Sequence, residues 1–314
     1  MPRRSARCCA SPARSLDGPR SAPASCVAYA RVVRIVAVTN IKGGVGKTTT
    51  AVNLAYLSAA GGAATLLWDL DPQGAATYAL RGDSQEHGSV KRLLAGKVEL
   101  QELILATDYR RLDLLPADFS YRNFAVHLAA RRHPTERLLK MSRPLREVYA
   151  TLFLDCPAGI SLLSESVLRA ADIIIVPLVP TPLSLRMLVQ LYEFIAREGW
   201  TDLTLLPLFS LVDRRRSLHV ELIAEARAQF PQILATEVPY WSEIERMSVR
   251  RAPLPASAPG STATLLYTRL WGEIRERLRT GPADGATVRA QRSGGAAIAS
   301  AGTISAGAGT SSTA

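Results

Sequence analysis

The 314-residue chain is 47% hydrophobic and 21% charged, a balance typical of soluble globular proteins that excludes disorder throughout. A membrane span needs roughly 20 apolar residues in a row, and the best candidate, Ile173 to Leu185, is short and interrupted by Pro177, Pro180 and Pro182. Residues 33–280 carry five of the eleven net positive charges, which suits a polyanionic partner without naming one, and the four cysteines are too few for a disulfide scaffold, pointing instead to a reducing cytoplasm.

Residues 1–32 hold six arginines against Asp17, together with Cys8, Cys9 and Cys26, and lack apolar periodicity. They are expected to be a disordered basic extension, with the composition of a transit peptide or of a start codon placed upstream of the folded body; the abrupt onset of apolar patterning at Val32 and Val33 favours the second. The first strand is expected at Arg34 to Thr39, then a helix at Lys47 to Ala59 and a strand at Thr65 to Asp69. A helix at Gly88 to Leu94, a strand at Leu112 to Leu115 and helices at Tyr121 to Ala130 and Thr135 to Met141 follow. The second half reads as strand Thr151 to Asp155, helix Ile160 to Ala170, strand Asp172 to Pro177, helix Leu183 to Arg197, strand Leu203 to Leu208 and helices Ser217 to Ala228 and Ala263 to Arg279. Alternation of this kind predicts an α/β fold, a doubly wound and mostly parallel sheet flanked by helices over residues 33–280, with its ligand at the carboxyl ends of the strands. Residues 281–314 are Gly-, Ala-, Ser- and Thr-rich and are expected to form a disordered tail.

Directly after the first strand comes Lys42-Gly43-Gly44-Val45-Gly46-Lys47-Thr48-Thr49-Thr50, leading into Ala51-Val52-Asn53-Leu54-Ala55. Glycines let backbone N–H groups curl around an anion, and the helix that follows points its positive end at the same place. Strand, loop, Lys-Thr and helix in this order make a triphosphate cradle, in which Lys47 reaches the β and γ phosphates and the Thr48 hydroxyl ligates Mg²⁺.

The additional lysine at the head of the loop, Lys42, makes the run resemble the deviant Walker A of the ParA/MinD superfamily of P-loop ATPases, closest to the ParA-like partition and positioning members. The resemblance implies that Lys42 crosses a dimer interface to the partner's nucleotide, where a cation delivered in trans stabilises charge developing on the γ phosphate. Asp69-Leu70-Asp71-Pro72-Gln73-Gly74-Ala75-Ala76-Thr77 is similar to the family's first switch, with Ala75 in place of the usual Asn. By that resemblance Asp71 orients the attacking water and Asp69 supports the Mg²⁺ shell. Thr151 to Gly159 is similar to a Walker B strand and second switch, in which Asp155 holds Mg²⁺ through water; Ala158 stands where the family more often has a second Pro. Further likeness runs through Ala170 to Pro177, Pro180 to Leu185 and Val238-Pro239-Tyr240, so it covers about residues 33–279.

Accessory features separate the functions that share this chemistry. Cys156 alone cannot furnish the paired cysteines of an iron-sulfur reductase, no second nucleotide domain is present for an anion pump, and the tail has no tyrosine cluster. Leu266, Leu270, Ile274 and Leu278 form an apolar stripe with Trp271, as a membrane-binding helix would, but the family's last core helix occupies this position. Arg214, Arg215 and Arg216, with Arg246, Arg250 and Arg251, lie where ParA-like proteins carry a nonspecific DNA-binding surface. The expectation is a cytoplasmic, nucleoid-associated ATPase using ATP and Mg²⁺, homodimeric with ATP, slow until stimulated by a cargo-linked, ParB-like activating partner. A MinD-like membrane-cycling ATPase and a nucleotide-regulated scaffold with little hydrolysis are the alternatives. His87, His127, His133 and His219 have no metal-ligand spacing.

Overall fold

The computed structural model describes residues 34–82, 90–200 and 202–280. The expected N-terminal extension, the C-terminal tail, His87 and the start of the helix placed at Gly88 lie outside them. The strands are β1 (Arg34–Val38), β2 (Thr65–Asp69), β3 (Leu105–Ala106), β4 (Leu112–Leu115), β5 (Thr151–Asp155), β6 (Ile173–Leu178), β7 (Thr204–Val212) and β8 (Val238–Pro239). They form one sheet in the order β3-β4-β2-β5-β1-β6-β7-β8, parallel at every pairing except β3 with β4. The strands read as continuous apolar runs because both faces of the sheet are covered. Along β1, Ile35 and Ala37 turn to one core while Val36 and Val38 turn to the other, the two-residue period of a strand.

One face packs against α3 (Val90–Leu94), α4 (Phe124–Ala129), α5 (Arg137–Ser142), α6 (Leu145–Val148), α7 (Leu162–Ala170), α8 (Pro182–Arg197) and α9 (Ser217–Gln229). The other carries α1 (Lys47–Ala60), α2 (Ala75–Ala79), α10 (Ser242–Arg250), α11 (Leu254–Ser257) and α12 (Thr262–Thr280). Burying each side chain the size of Phe153 or Tyr267, both fully enclosed here, contributes roughly 1.5–3 kcal/mol. In α12 the stripe expected from sequence is a core face: Tyr267, Leu270 and Ile274 are buried, and Trp271 meets the Phe153 ring at 5.9 Å between centroids. Its apolar side is therefore engaged by the sheet, as the core-helix reading expects.

Strand ends matter most for the site. Val38 and Asp69 are both in register with Asp155, so β1, β5 and β2 finish side by side and bring the loop after β1 together with two aspartates. Helices α2, α6, α10 and α11 and the short β3 were not evident from the sequence, and β7 runs four residues past its expected end at Leu208. That extension passes through Leu211, whose φ of 54° is left-handed, where the pairing with β8 shifts register between Ser210 and Val212.

Candidate nucleotide site

The loop Lys42–Lys47 leaves β1 and enters α1 through two left-handed glycines, Gly44 (φ 71°) and Gly46 (φ 84°). A Cβ at either would touch nothing within 4 Å, so the backbone conformation, not crowding, requires glycine there. Gly46 caps α1 without a side-chain hydrogen bond, which leaves the first N–H groups of the helix turned to an incoming anion. Two residues that the motif reading passed over hold the loop in place. Asn40, nearly buried, donates from Nδ2 to the Pro177 carbonyl (2.6 Å) and accepts from the Lys42 N–H (3.0 Å). Ser210 at the end of β7 donates from Oγ to the Val45 carbonyl (2.8 Å).

Lys47 is buried, and its Nζ folds back to donate to the Lys42 carbonyl at 3.2 Å. Burial lowers its pKa, while the charges of Asp155 and Asp71 act the other way. Lys42 is exposed, and its ammonium has no ion pair among the described residues. One lysine thus closes the loop in cis and the other is exposed and unpaired among the described residues.

Asp155 is fully buried, and both carboxylate oxygens lack a hydrogen-bond partner among the described residues. Burial, followed by the neighbouring Asp69, pushes its pKa well up, and the groups favouring its charged form are the Thr48 hydroxyl and Lys47. An orphaned buried carboxylate beside a threonine hydroxyl and a phosphate cradle fits Mg²⁺, a hard cation that takes few protein ligands and completes its shell with phosphate and water.

Asp69 is equally buried but its oxygens are engaged: Oδ2 accepts from the Thr77 N–H and hydroxyl, both at 2.8 Å, and Oδ1 from the Asp71 N–H at 3.1 Å. Burial raises its pKa to about 6 against these bonds. Asp69 therefore ties the first switch to the strand end, a role that the aspartate-rich motif did not suggest. Asp71 is half-buried; its Oδ1 accepts from the Gln73 N–H (2.9 Å), and Gly74 (φ 63°) turns the chain into α2. The thiol of Cys156 next to Asp155 is buried and its pKa is pushed up by that burial.

Beside the loop lies a cavity of about 430 Å³ with Gly46 and Thr49 on one wall and Ser210, Leu211, Tyr240 and Trp241 on the other. Its β7 and β8 residues carry no motif, and only Val238 to Tyr240 stood out in the sequence. The six arginines fall into two groups. At the end of β7, Arg214 pairs with Glu237 (2.8 Å), and Arg215 grips Asp213 through both Nε and a second guanidinium nitrogen (2.9 and 3.0 Å), holding that carboxyl down at about 2. Arg216 makes no such pair among the described residues. At the end of α10, Arg251 lays its guanidinium over the Tyr78 ring, 4.4 Å from the centroid, while Arg246 and Arg250 are exposed and have no hydrogen bond or ion pair among the described residues. Three of the six, Arg214, Arg215 and Arg251, are thus engaged within the fold.

Comparison with known proteins agrees with this geometry. The AAA domain family matches residues 33–199. The chromosome partitioning protein ParA of Myxococcus xanthus (strain DK1622) is 35% identical over 218 residues, which is 67% of this chain and 77% of that protein. The sporulation initiation inhibitor protein Soj of Bacillus subtilis (strain 168) is 29% identical over 249 residues, 77% of this chain and 98% of its own. Among solved structures, cobyrinic acid a,c-diamide synthase from Mycobacterium smegmatis, with bound ATP analog and magnesium, superposes with a TM-score of 0.67 at 27% identity, over 80% of this chain and 97% of that one. With a phosphate loop headed by Lys42, two aspartates at adjacent strand ends and these relatives, the chain belongs to the AAA domain family, among the ParA-like P-loop ATPases of the ParA/MinD superfamily.

Proposed function

We propose that this member of a family of partitioning and positioning ATPases dimerises around ATP and Mg²⁺, grips nonspecific DNA in that state, and hydrolyses ATP slowly until a cargo-linked partner stimulates it. The observation that carries this reading is the division of labour between the two loop lysines, Lys47 closing the loop on the Lys42 carbonyl and Lys42 exposed without an ion pair. An exposed, unpaired cation at the head of the loop is available to complete the site of a second copy, which would make assembly a condition of hydrolysis.

ATP and Mg²⁺ are the cofactors: the loop N–H groups and Lys47 would hold the β and γ phosphates, and Thr48 and Asp155 would hold the metal, which would supply charge neutralisation at the phosphates. The cavity between Gly46 and Tyr240 receives the base, with Trp241 and Tyr240 as its aromatic wall. Asp71 has its Oδ1 held by the Gln73 N–H, which aims the carboxylate for positioning the attacking water. The basic surface is supported by Arg216, Arg246 and Arg250, whose guanidinium groups remain available for phosphate; Arg215 sits in an exposed pair with Asp213, weak in water and open to exchange for a phosphate, whereas Arg214 is held by Glu237, a nearly buried carboxylate shared with Arg227. Among the described residues no helix is long and apolar enough to cross a membrane, and the packed face of α12 gives the membrane-cycling alternative no support.

DNA cosedimentation of the full chain with ATP, ADP or no nucleotide across a salt series tests this. Binding confined to ATP, with affinity falling steeply as salt rises, is expected. Binding that ignores nucleotide, or none at all, sinks the DNA-gripping switch.

A further inference from the structure

We propose that Arg251 is a positioning residue for hydrolysis, a clamp that ties α2, the helix following the Asp71 switch, to the C-terminal end of α10. This rests on the DNA-gripping reading only for what α10 touches; the clamp itself rests on the contacts within the chain.

Helix α2 is anchored at its middle to the site, since Thr77 donates its N–H and hydroxyl to Asp69 Oδ2. At its C-terminal end the Tyr78 carbonyl, one of the acceptors that a helix terminus leaves open, receives the Arg81 N–H at 3.1 Å and Arg251 Nε at 3.0 Å. The Arg251 guanidinium also covers the Tyr78 ring at 4.4 Å, a favourable approach of a cation to an aromatic face. Arg81 returns the contact, donating from Nε to the Arg251 carbonyl at 3.3 Å. Both arginines hold left-handed backbone, φ 57° at Arg81 and 49° at Arg251. Such a conformation is unfavourable for a side chain with a Cβ and persists where neighbouring contacts impose it.

Helix α10 is held a second time, at its middle, by the phosphate-loop helix. Asn53 of α1 donates from Nδ2 to Met247 Sδ (3.3 Å) and accepts the Leu254 N–H at 2.8 Å. The helix that presents Arg246 and Arg250 is therefore fastened to α1 through Asn53 and to the hydrolytic switch through Arg251. A phosphate drawn onto Arg246 and Arg250 loads this helix, and the Arg251–Tyr78 contact carries the load to the segment holding Asp71. Arg251 acts through Tyr78 and α2, and its guanidinium is not a phosphate contact.

The experiment is a double-mutant cycle in the full chain with Arg251→Ala and Tyr78→Ala, reading ATP turnover with and without duplex DNA and the salt dependence of DNA affinity. Arg250→Ala is the reference for a true phosphate contact and Arg251→Lys is the conservative variant. Expected in Arg251→Ala is a several-fold change in kcat with KM for ATP within about two-fold, and loss of any response of turnover to DNA. The slope of log affinity against log salt should stay at the wild-type value, whereas Arg250→Ala reduces it by about 1. Tyr78→Ala, which removes the ring but keeps the carbonyl, should reproduce part of the kinetic change, the double variant should cost less than the sum of the two single ones, and Arg251→Lys should restore most of it. A slope lowered in Arg251→Ala as in Arg250→Ala, with turnover still responding to bound DNA, overturns the clamp and makes Arg251 an ordinary phosphate contact. Should the wild-type chain bind no DNA, the proposed function fails on its own, and the clamp is decided by basal kcat: coupled changes in the two variants support it, additive or absent changes overturn it. If Arg251→Ala does not fold, Arg251→Met, which keeps the length of the side chain but neither the Nε donor nor the cation, takes its place, with the same outcomes supporting or overturning the clamp.

Discussion

At the scale of single residues, His219 shows how a side chain with no metal-ligand spacing still has a defined task. It is buried in α9, and its Nδ1 accepts the Asp213 N–H at 3.2 Å, which only the neutral ring can do. Burial first, then the charge of Arg216, lowers its pKa, with Asp213 opposing. In the unfolded chain histidine takes up its proton near pH 6.5. Because the folded pKa is the lower one, the unfolded state binds the extra proton first as pH falls, so the folded state loses stability below about pH 6.5 and is indifferent to this group above it. Thermal unfolding between pH 7.5 and 5 should show the midpoint falling with acid, and His219→Asn, which keeps an acceptor but no titration, should flatten that dependence. Equal slopes in the two proteins would show that His219 titrates alike in both states. The same attention to single atoms separates the two buried aspartates: Asp69 has its oxygens engaged and Asp155 has neither, although both simply close an apolar strand in the sequence.

At the scale of elements, what the sequence made legible is what depends on local pattern. The six long strands and the eight principal helices follow from apolar runs and helical periodicity, and the phosphate loop follows from its glycines and lysines. That Asp69 and Asp155 both serve the metal was implied only by the family resemblance; their adjacency depends on the strand order, which no local pattern carries. Long-range partners hid the rest. Helix α10 is short and polar, with Met247 its one fully buried side chain; its position is set by Asn53, 194 residues away in the chain. Asn40, Ser210 and Leu211 belong to no motif, and their part in shaping the loop and the cavity beside it comes from strand neighbours in the folded sheet. Asn53 offers the test at this scale. Its amide donates to the Thr49 carbonyl and Met247 Sδ and accepts from the Leu254 N–H, so Asn53→Ala leaves a buried N–H without a partner. A loss of about 1–3 kcal/mol is expected by urea unfolding, and an unchanged midpoint would mean that α11 finds another acceptor.

For the whole molecule, the question is whether a catalytic site is complete within one chain. Lys47, Thr48, Asp71 and Asp155 all lie around one phosphate loop, whereas Lys42 heads that loop with an exposed side chain. If Lys42 works in the partner's site, Lys42→Ala should still bind ATP and pair but lose turnover, by a factor that reaches 10³–10⁵ for cations supplied to a γ phosphate in trans. Asp71→Ala should assemble with ATP and fail to hydrolyse it, because the water is no longer held. Mixing the two inactive variants then decides between cis and trans. In a mixed dimer the Lys42→Ala subunit keeps its own Asp71 and receives Lys42 from its partner, so one site of the two is whole. With random pairing of equal amounts, turnover should recover to about a quarter of the wild-type rate, since half the dimers are mixed and each has one working site. If activity stays at the level of the separate variants while the mixed dimers form, Lys42 serves its own subunit, and the exposed lysine at the head of the loop has no catalytic partner to reach.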